Sequence, residues 1–521
     1  MAFLPILILF AGSLVTWLSR KRHERVLWAL NSGTALLVWL VSLVLVMKIP
    51  DVTSLSVWRP SELFASRLEL HLDEIGWLFL YGAATVVVSV IFTEASRPGE
   101  ATPGTRSLLL SYAAVAMTAM LAGNLLTVAM TWTLMDIWTV VFLLRMQENT
   151  KSIVKLMTRF AVDVGGVLLV LSAALINGVE GGSSSLTSPL TSSLAAVLLV
   201  LAALLRLGLL PPHINLTHLS YKQRGLGTLI RLLPPVAALS VLARMMNIGI
   251  PVEALPWLRL AGVLGIIVGG LRWSLHTNVA AARLFLVLGV SGMGVLAASL
   301  SIEGGGAPIA AAGIILLFAG AVVSLTEVFV PTHRLWLGLA AVLLAGMPGT
   351  PGGVIAASLA RGALNGSPLG LVVIGILGLI LLASGCLRLV FLPARPWPSG
   401  ESLVRVMYGL GLALPVLVGF GLGFRMPGSV TLEAVAGFAI AIALAGLALF
   451  WLRRLPQRDV DRWGRLIEWL DPNPLYRVLW GGGRALIQVF RAIGDILEGE
   501  GAMLWMSVIL LLLIIALGRA S

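Results

Sequence analysis

The stretch 204–220 reads LLRLGLLPPHINLTHLS and sets Arg206, Pro211, Pro212 and His213 inside an otherwise apolar run. These residue types suit the handling of ions or protons. Proline removes an amide donor and leaves a helix carbonyl open, arginine keeps its charge at any working pH, and histidine titrates near neutrality. Other ionisable side chains fall in comparable apolar runs: Asp136 in MTWTLMDIWTVV, then Asp163, Arg231, Arg283 and Glu327. A charge in mid-membrane costs about 2.5 kcal/mol or more unless it is paired or hydrated. Asp136 and Arg206 are read as an internal ion pair, while Asp163 and Arg283 are read as structural, close enough to helix ends for their charged tips to snorkel. A second interruption, AGMPGTPGG at 345–353, carries Pro348 and Gly352. Broken helices in lipid are tolerated where protein or water surrounds the freed backbone groups, and paired breaks in two halves of a chain point to inverted repeats around a polar pathway.

The elements that must hold these residues are membrane helices. The 521 residues are 58% hydrophobic and 12% charged, with a mean hydropathy of +0.98, far from the charge content of a soluble domain. A span needs about 20 apolar residues to cross about 30 Å of hydrocarbon. By that measure helices are predicted near 2–19, 26–48, 75–94, 107–122, 123–144, 153–176, 192–211, 226–248, 257–275, 279–300, 307–330, 335–363, 369–393, 403–424, 430–452 and 502–518. The fold class is an all-α polytopic membrane protein of about 14–16 transmembrane helices, with two inverted five-helix repeats and two broken helices. The chain divides into N-terminal helices over 1–106, a first repeat over 107–248 broken near 211, and a second repeat over 257–393 broken near 348. C-terminal helices over 403–452, a cytoplasmic-side amphipathic segment over 453–501 and a last helix in 502–521 follow.

The formal charge of +12 reads as an orientation signal rather than as a nucleic-acid surface, because Lys and Arg collect in cytoplasmic loops. Arg20, Lys21, Arg22 and Arg25, then Arg97 and Arg106, Lys151 and Lys155, Lys222 and Arg224, Arg272, Arg334 and Arg395 fall in alternate loops. The intervening GVEGGSSSLTSPLTSS and SIEGGGA have no basic residue. The first run is followed by RKRHER, the reverse of a secretory signal, so it is expected to remain a span with its N-terminus outside. The single cysteine, Cys386, lies in an apolar run and is read as a small buried hydrophobe.

Three motifs carry a resemblance to the antiporter-like membrane subunits of NADH:quinone oxidoreductase (complex I), Mrp sodium/proton antiporters, membrane-bound hydrogenases and some inorganic-carbon uptake systems. Arg206, Pro211 and His213 resemble the lysine and P-x-H of that family's seventh helix. LHLDEIGWLFLYGAATVVVSVIFT, with Asp73, resembles the entry to its third helix, and AGMPGTPGG, through Gly346, Pro348 and Gly352, resembles its later A-G-(I/F)-P-P-x-x-G. The similarity runs from about residue 68 to about residue 360. The family's lysine, histidine and glutamate axis is largely replaced. Where W-E-L-M is expected the chain reads Trp132-Thr133-Leu134-Met135, with an acid one turn on at Asp136, which faces a similar direction. Arg206 replaces a lysine that can lose its proton. Arg231 stands at a histidine position, Ala237, Ala356 and Ile314 stand at basic positions, and Asn278-Val279-Ala280-Ala281 stands where D-x-K-R is usual.

The resemblance implies a membrane-arm subunit of a complex-I-like, proton- or cation-translocating NADH/quinone-type oxidoreductase assembly, with a degenerate proton pathway and a scaffold or coupling role. The alternative is a subunit of a separate cation/proton antiporter or inorganic-carbon transporter. Asp136, Arg206, His213, Arg231 and Glu327 are the expected pathway or coupling residues, and Pro211, Pro212, Pro348 and Gly352 the helix breaks. Hydroxyls at Thr131, Thr133, Thr217 and Thr228, with Asn215, offer a substitute route through water. No cofactor or metal is expected, and no catalysis by this chain alone. The expected partners are other membrane subunits and the lipid bilayer, in the cell (plasma or inner) membrane. A membrane enzyme acting on lipid or quinone would need clustered carboxylates, H-E-x-x-H, G-x-S-x-G in a suitable setting or thiol ligands, none of which the sequence supplies.

Overall fold

The computed structural model describes residues 1–55, 67–97, 99, 101–146, 150–212, 224–276, 278–301, 305–326, 331–392 and 402–454, with Gly481 and Gln488. Helices α1 (Phe3–Leu18) and α2 (Glu24–Val44) lead into a hairpin of β1 (Asp51–Leu55) and β2 (Leu68–Leu72), antiparallel with Thr53 opposite Leu70. Then come α3 (Glu74–Glu94), α4 (Pro103–Met120), α5 (Leu125–Met146), α6 (Thr150–Val179), α7 (Ser193–Arg206) and α8 (Arg224–Ile248). Helix α9 (Leu255–Leu264) continues through a π-helical turn, Gly265–Gly270, into α10 (Leu271–Leu275). The series closes with α11 (Val279–Leu300), α12 (Gly306–Leu325), α13 (Pro331–Leu344), α14 (Pro351–Leu364), α15 (Leu369–Val390), α16 (Ser402–Arg425) and α17 (Leu432–Arg454). Among the described residues ten helices are long and apolar enough to cross a membrane.

Burial sorts these helices into a centre and a rim. Within Met1–Ile467, α12 is wholly buried and α3, α8 and α11 nearly so, whereas α2, α6 and α16 expose most of their span. The centre is lined by small residues and leucines, such as Ala311, Ala312, Gly313, Leu316 and Leu317 of α12, so helix backbones approach closely. Helix starts follow local capping chemistry. Asp73 Oδ1 accepts the Gly76 N–H at 2.7 Å, Asn124 Oδ1 the Thr127 N–H at 2.8 Å, and Ser192 Oγ the Ala195 N–H at 3.4 Å.

Three expectations need correction. The β1–β2 pair stands where no element was expected; it lies between spans, and β2 also bonds the turn after α4, through His71 N–H to the Leu121 carbonyl at 2.8 Å and the Gly123 N–H to the Glu69 carbonyl at 2.9 Å. Helix α12 stops at Leu325 rather than 330, because Thr326 turns extended. Helix α7 stops at Arg206, short of 211, and proline is not the cause. Gly208, at φ +72°, turns the chain left-handed, the Gly208 N–H reaches the Leu205 carbonyl and the Leu209 N–H the Leu204 carbonyl, both at 3.0 Å. This is a Schellman ending, one turn ahead of the prolines. Helix α13 ends the same way: Gly346 has φ +89°, its N–H reaches Leu343 O and the Met347 N–H reaches Val342 O, both at 3.4 Å. Both interruptions are thus glycine terminations followed by proline. The expected helix at 502–518 and nearly all of the amphipathic segment 453–501 lie outside the described residues.

Helices α9 to α11 meet along a glycine seam. A Cβ on Gly265 would come within 2.9 Å of Gly292 Cα and 2.5 Å of Leu209 Cδ2, and one on Gly269 would collide with the Gly289 backbone. The π-turn therefore lies against α11 on one side and receives Leu209, from the α7 break, on the other. At the outer ends, Arg244 of α8 binds Asp73 (2.8 and 2.9 Å) and the carbonyls of Met120 and Ala122. Burial raises the Asp73 carboxyl, but Arg244 and the Gly76 amide outweigh it and hold it below the usual carboxylate range. Its contribution is present above the unfolded value of about 4 and is lost as pH falls through the lower folded value.

Two measurements follow. Gly269→Leu forces α9 from α11 and should destabilise the protein by about 1–3 kcal/mol or more, whereas Gly338→Ala, at a helix position with open space around it, should be neutral or slightly stabilising; thermal midpoints in detergent decide. For Asp73→Asn, the loss of thermal midpoint on acidification below about pH 4 should be smaller than in the wild type.

Candidate functional site

The first break places Arg206 as the last residue of α7, pointing across to the middle of α5. Its Nη1 donates to Asp136 Oδ2 at 3.0 Å and its Nη2 to Asp136 Oδ1 at 2.7 Å, a two-bond fork that fixes both side chains. The pair is almost fully buried, with side chains 2% and 5% exposed. The Arg206 guanidinium lies over the Trp132 ring, 4.6 Å from its centroid, which adds an attraction suited to a desolvated cation. Thr139 donates to the buried Tyr112 hydroxyl at 3.3 Å on the facing helix α4. The α7 termination therefore does two things: it ends the helix in mid-bundle and it leaves a cation there.

Asp163 lies inside α6, 7% exposed, where its Oδ2 accepts Arg159 Nε at 3.2 Å. Asp163 and Arg159 both lie within electrostatic range of Asp136. Helices α5, α6 and α7 thus bring two aspartates and two arginines into one buried group.

Arg231 and Arg283 meet elsewhere, at the C-terminal turn of α12. Arg231 Nη1 donates to Ser324 Oγ at 3.3 Å, while Arg283 reaches the carbonyls of Ser324 (3.4 Å) and Thr326 (3.2 Å). Tyr408 of α16 donates to the Leu325 carbonyl at 3.1 Å. A helix end leaves its last carbonyls without helical donors and is the negative pole of the helix, so two guanidiniums and a phenol suit it. Arg283 does sit near a helix end, as expected, though it is directed at protein carbonyls. His213 and Glu327, with Asn215 and Thr217, lie outside the described residues.

Among the described residues, the second break brings no comparable charge together. Pro348 lies in a turn where Gly349 N–H meets the Ser429 carbonyl at 2.9 Å and Thr350 Oγ1 the Met347 carbonyl at 2.6 Å, and Gly352 lies in the first turn of α14. The residue that ends α13 at the place of Arg206 is Leu344. Of the hydroxyls, Thr131, Thr133 and Thr228 donate to carbonyls of Thr127, Ala129 and Arg224 in their own helices, which leaves their oxygens as acceptors.

Sequence reading passed over Arg159, Arg244, Tyr112 and the prolines Pro234 and Pro235 inside α8. The i,i+4 spacing of Arg159 and Asp163 was the available signal. So was RLLPP at 231–235, which repeats the arginine-then-prolines order of RLGLLPP at 206–212. Removing one member of the Asp136–Arg206 pair leaves a buried charge unanswered. Arg206→Leu alone should cost about 3–5 kcal/mol, and the joint Asp136→Leu, Arg206→Leu variant should cost less; a larger loss in the double variant would contradict this account.

No protein-family model and no curated protein matches the sequence. Solved structures do match the fold. A chain of the Mrp complex from Dietzia sp. DQ12-45-1b is 17% identical with a TM-score of 0.69, covering 100% of this chain and 63% of that one. This chain thus spans under two thirds of the Mrp-complex chain. A chain of the archaeal membrane-bound sulfane sulfur reductase, a respiratory membrane complex, is 15% identical with a TM-score of 0.72, covering 99% of each. A chain of respiratory complex I from Thermus thermophilus is 18% identical with a TM-score of 0.63, covering 86% of this chain and 99% of its own. All three come from multi-subunit membrane complexes, and this multi-pass membrane chain has the fold of their antiporter-like subunits.

Proposed function

We propose that this chain is a membrane-arm subunit of a complex-I-like, proton- or cation-translocating assembly, acting there as scaffold and charge-coupling element rather than as a complete pump. The observation that carries the reading is the forked Asp136–Arg206 pair at the broken end of α7. In such a site a pair that forms and breaks changes the field felt by neighbouring titratable groups. Arginine keeps its charge, so proton exchange rests on the carboxylates, and Arg231 adds a fixed positive field. His213 and Glu327 are retained as candidate members of the same pathway from their place in the sequence.

Two inverted repeats are part of the proposal: α4 to α8 within 107–248, and α9 to α15 within 257–393. What supports them is the shared ending of α7 and α13, a Schellman turn followed by proline. The N-terminus is assigned outside the cell membrane, since Arg97 and Arg106 line one cleft with the start of α8, and Arg272 and Arg388 close α10 and α15. Other membrane subunits are the proposed partners.

Purification from native membranes in mild detergent, with mass spectrometry of what accompanies the chain, should recover quinone- or hydrogen-oxidising subunits. Recovery alone or with one soluble partner would replace this reading with a separate cation/proton antiporter or inorganic-carbon transporter. In the recovered assembly, Arg206→Leu should lower ion flux about tenfold or more, the loss expected from a single interaction of about 1.4 kcal/mol made only in the conducting state.

A further inference from the structure

Arg231 sits about two turns into α8 and Arg283 in the second turn of α11, and both guanidiniums are directed at one residue of α12. Arg231 Nη1 donates to the Ser324 hydroxyl and Arg283 Nη1 to the Ser324 carbonyl. Elsewhere in the bundle an arginine drawn between helices meets a carboxylate: Asp136 for Arg206, Asp73 for Arg244, Glu94 for Arg106. Among the described residues Arg231 has no such partner. Its hydrogen bond to Ser324 is 3.3 Å long, and its Nε is buried with no acceptor. Both arginines keep their charge, and the end of a helix supplies about half a negative unit, so the described groups here sum to about one and a half positive units. A charge so placed is costly until an opposite one meets it. Each arginine is only partly buried, so a water-sized body reaches it, whereas Ser324 and Thr326 behind them are closed off.

We propose that Arg231, with the Ser324 hydroxyl, binds one small monovalent anion, for which chloride is the probe. Ser324 Oγ accepts from Arg231, so its own hydrogen is left to donate, and the Arg231 guanidinium supplies the further donors. Arg283 adds positive charge at longer range. The carbonyls at the end of α12 do not turn an anion away, because Arg283 and the Tyr408 hydroxyl already donate to those of Ser324, Leu325 and Thr326. One negative charge brings the group close to neutrality. Two would overshoot. A bound anion lowers the positive field assigned to Arg231 above, and that consequence alone rests on the coupling reading.

The test uses the isolated full chain in detergent, so it is decided apart from membership of any assembly. Sodium chloride is exchanged for sodium gluconate at constant sodium and pH while the thermal midpoint and the width of the chloride NMR signal are followed. The wild type should show a saturable rise in midpoint, as expected of a ligand that binds the folded chain alone, and should broaden the chloride signal. Arg231→Leu should lose both responses. Ser324→Ala should raise the half-saturating chloride about tenfold or more, the loss of one hydrogen bond to a charged group, and it decides the matter where the arginine variant fails to accumulate. A wild-type chain indifferent to chloride, or an equal response in Ser324→Ala, overturns the site. The rival counter-charge is the chain's own Glu327, next after Thr326 in the sequence. A chloride response that appears only in Glu327→Gln would mean that a carboxylate already holds the place, and it overturns the proposal as well.

Discussion

The buried arginines that tie this bundle together answer to one constraint: a charge drawn out of water must be met inside the protein. The described arginines show three ways of meeting it. Arg206 and Arg244 each fork onto an aspartate of another helix. Arg106 ties α4 to Glu94 of α3 at 2.6 Å and to Glu24 of α2 at 3.3 Å. Arg283 uses carbonyls at the end of α12. The desolvation of two charges is large enough to cancel most of their attraction, so these ties add little net stability. Their effect is positional. A helix displaced by an ångström or two leaves an ion unmatched, and that penalty selects the observed arrangement among many that would bury the same apolar area.

That distinction explains how far the sequence could be read. Span positions follow from composition, which is why α11 coincides with the expected 279–300 and why the central helices were found to within a few residues. Asp136 and Arg206 were legible as partners because each is an isolated charge in an apolar run. Arg244 was not, because it lies four residues from the end of α8, where an arginine passes for an interfacial anchor. Its partner is 171 residues away, and no periodicity relates the two. Arg159 was passed over for a related reason: hydropathy gives a helix's extent but not its rotation, and rotation decides which partner a charged tip meets.

The breaks teach a different point. In both, proline attracts the eye, whereas glycine ends the helix. Gly208 and Gly346 accept a left-handed backbone, and each closes its helix with the same pair of hydrogen bonds. Proline then makes resumption of the same helix unfavourable. With the termination understood, the difference between the halves reduces to one side chain at equivalent places, Arg206 in the first and Leu344 in the second. The fold carries the same backbone device twice and equips it with charge once.

The glycine seam between α9 and α11 has a consequence for hydration. Where Gly265 meets Gly292 and Gly269 meets Gly289, backbone lies on backbone with no room even for a methyl group, and a water molecule is larger than a methyl group's clearance allows. Along these contacts the seam has no room for water, and Leu209 of the α7 break fills the space beside Gly265; a hydrated path through the protein cannot cross between α9 and α11 there.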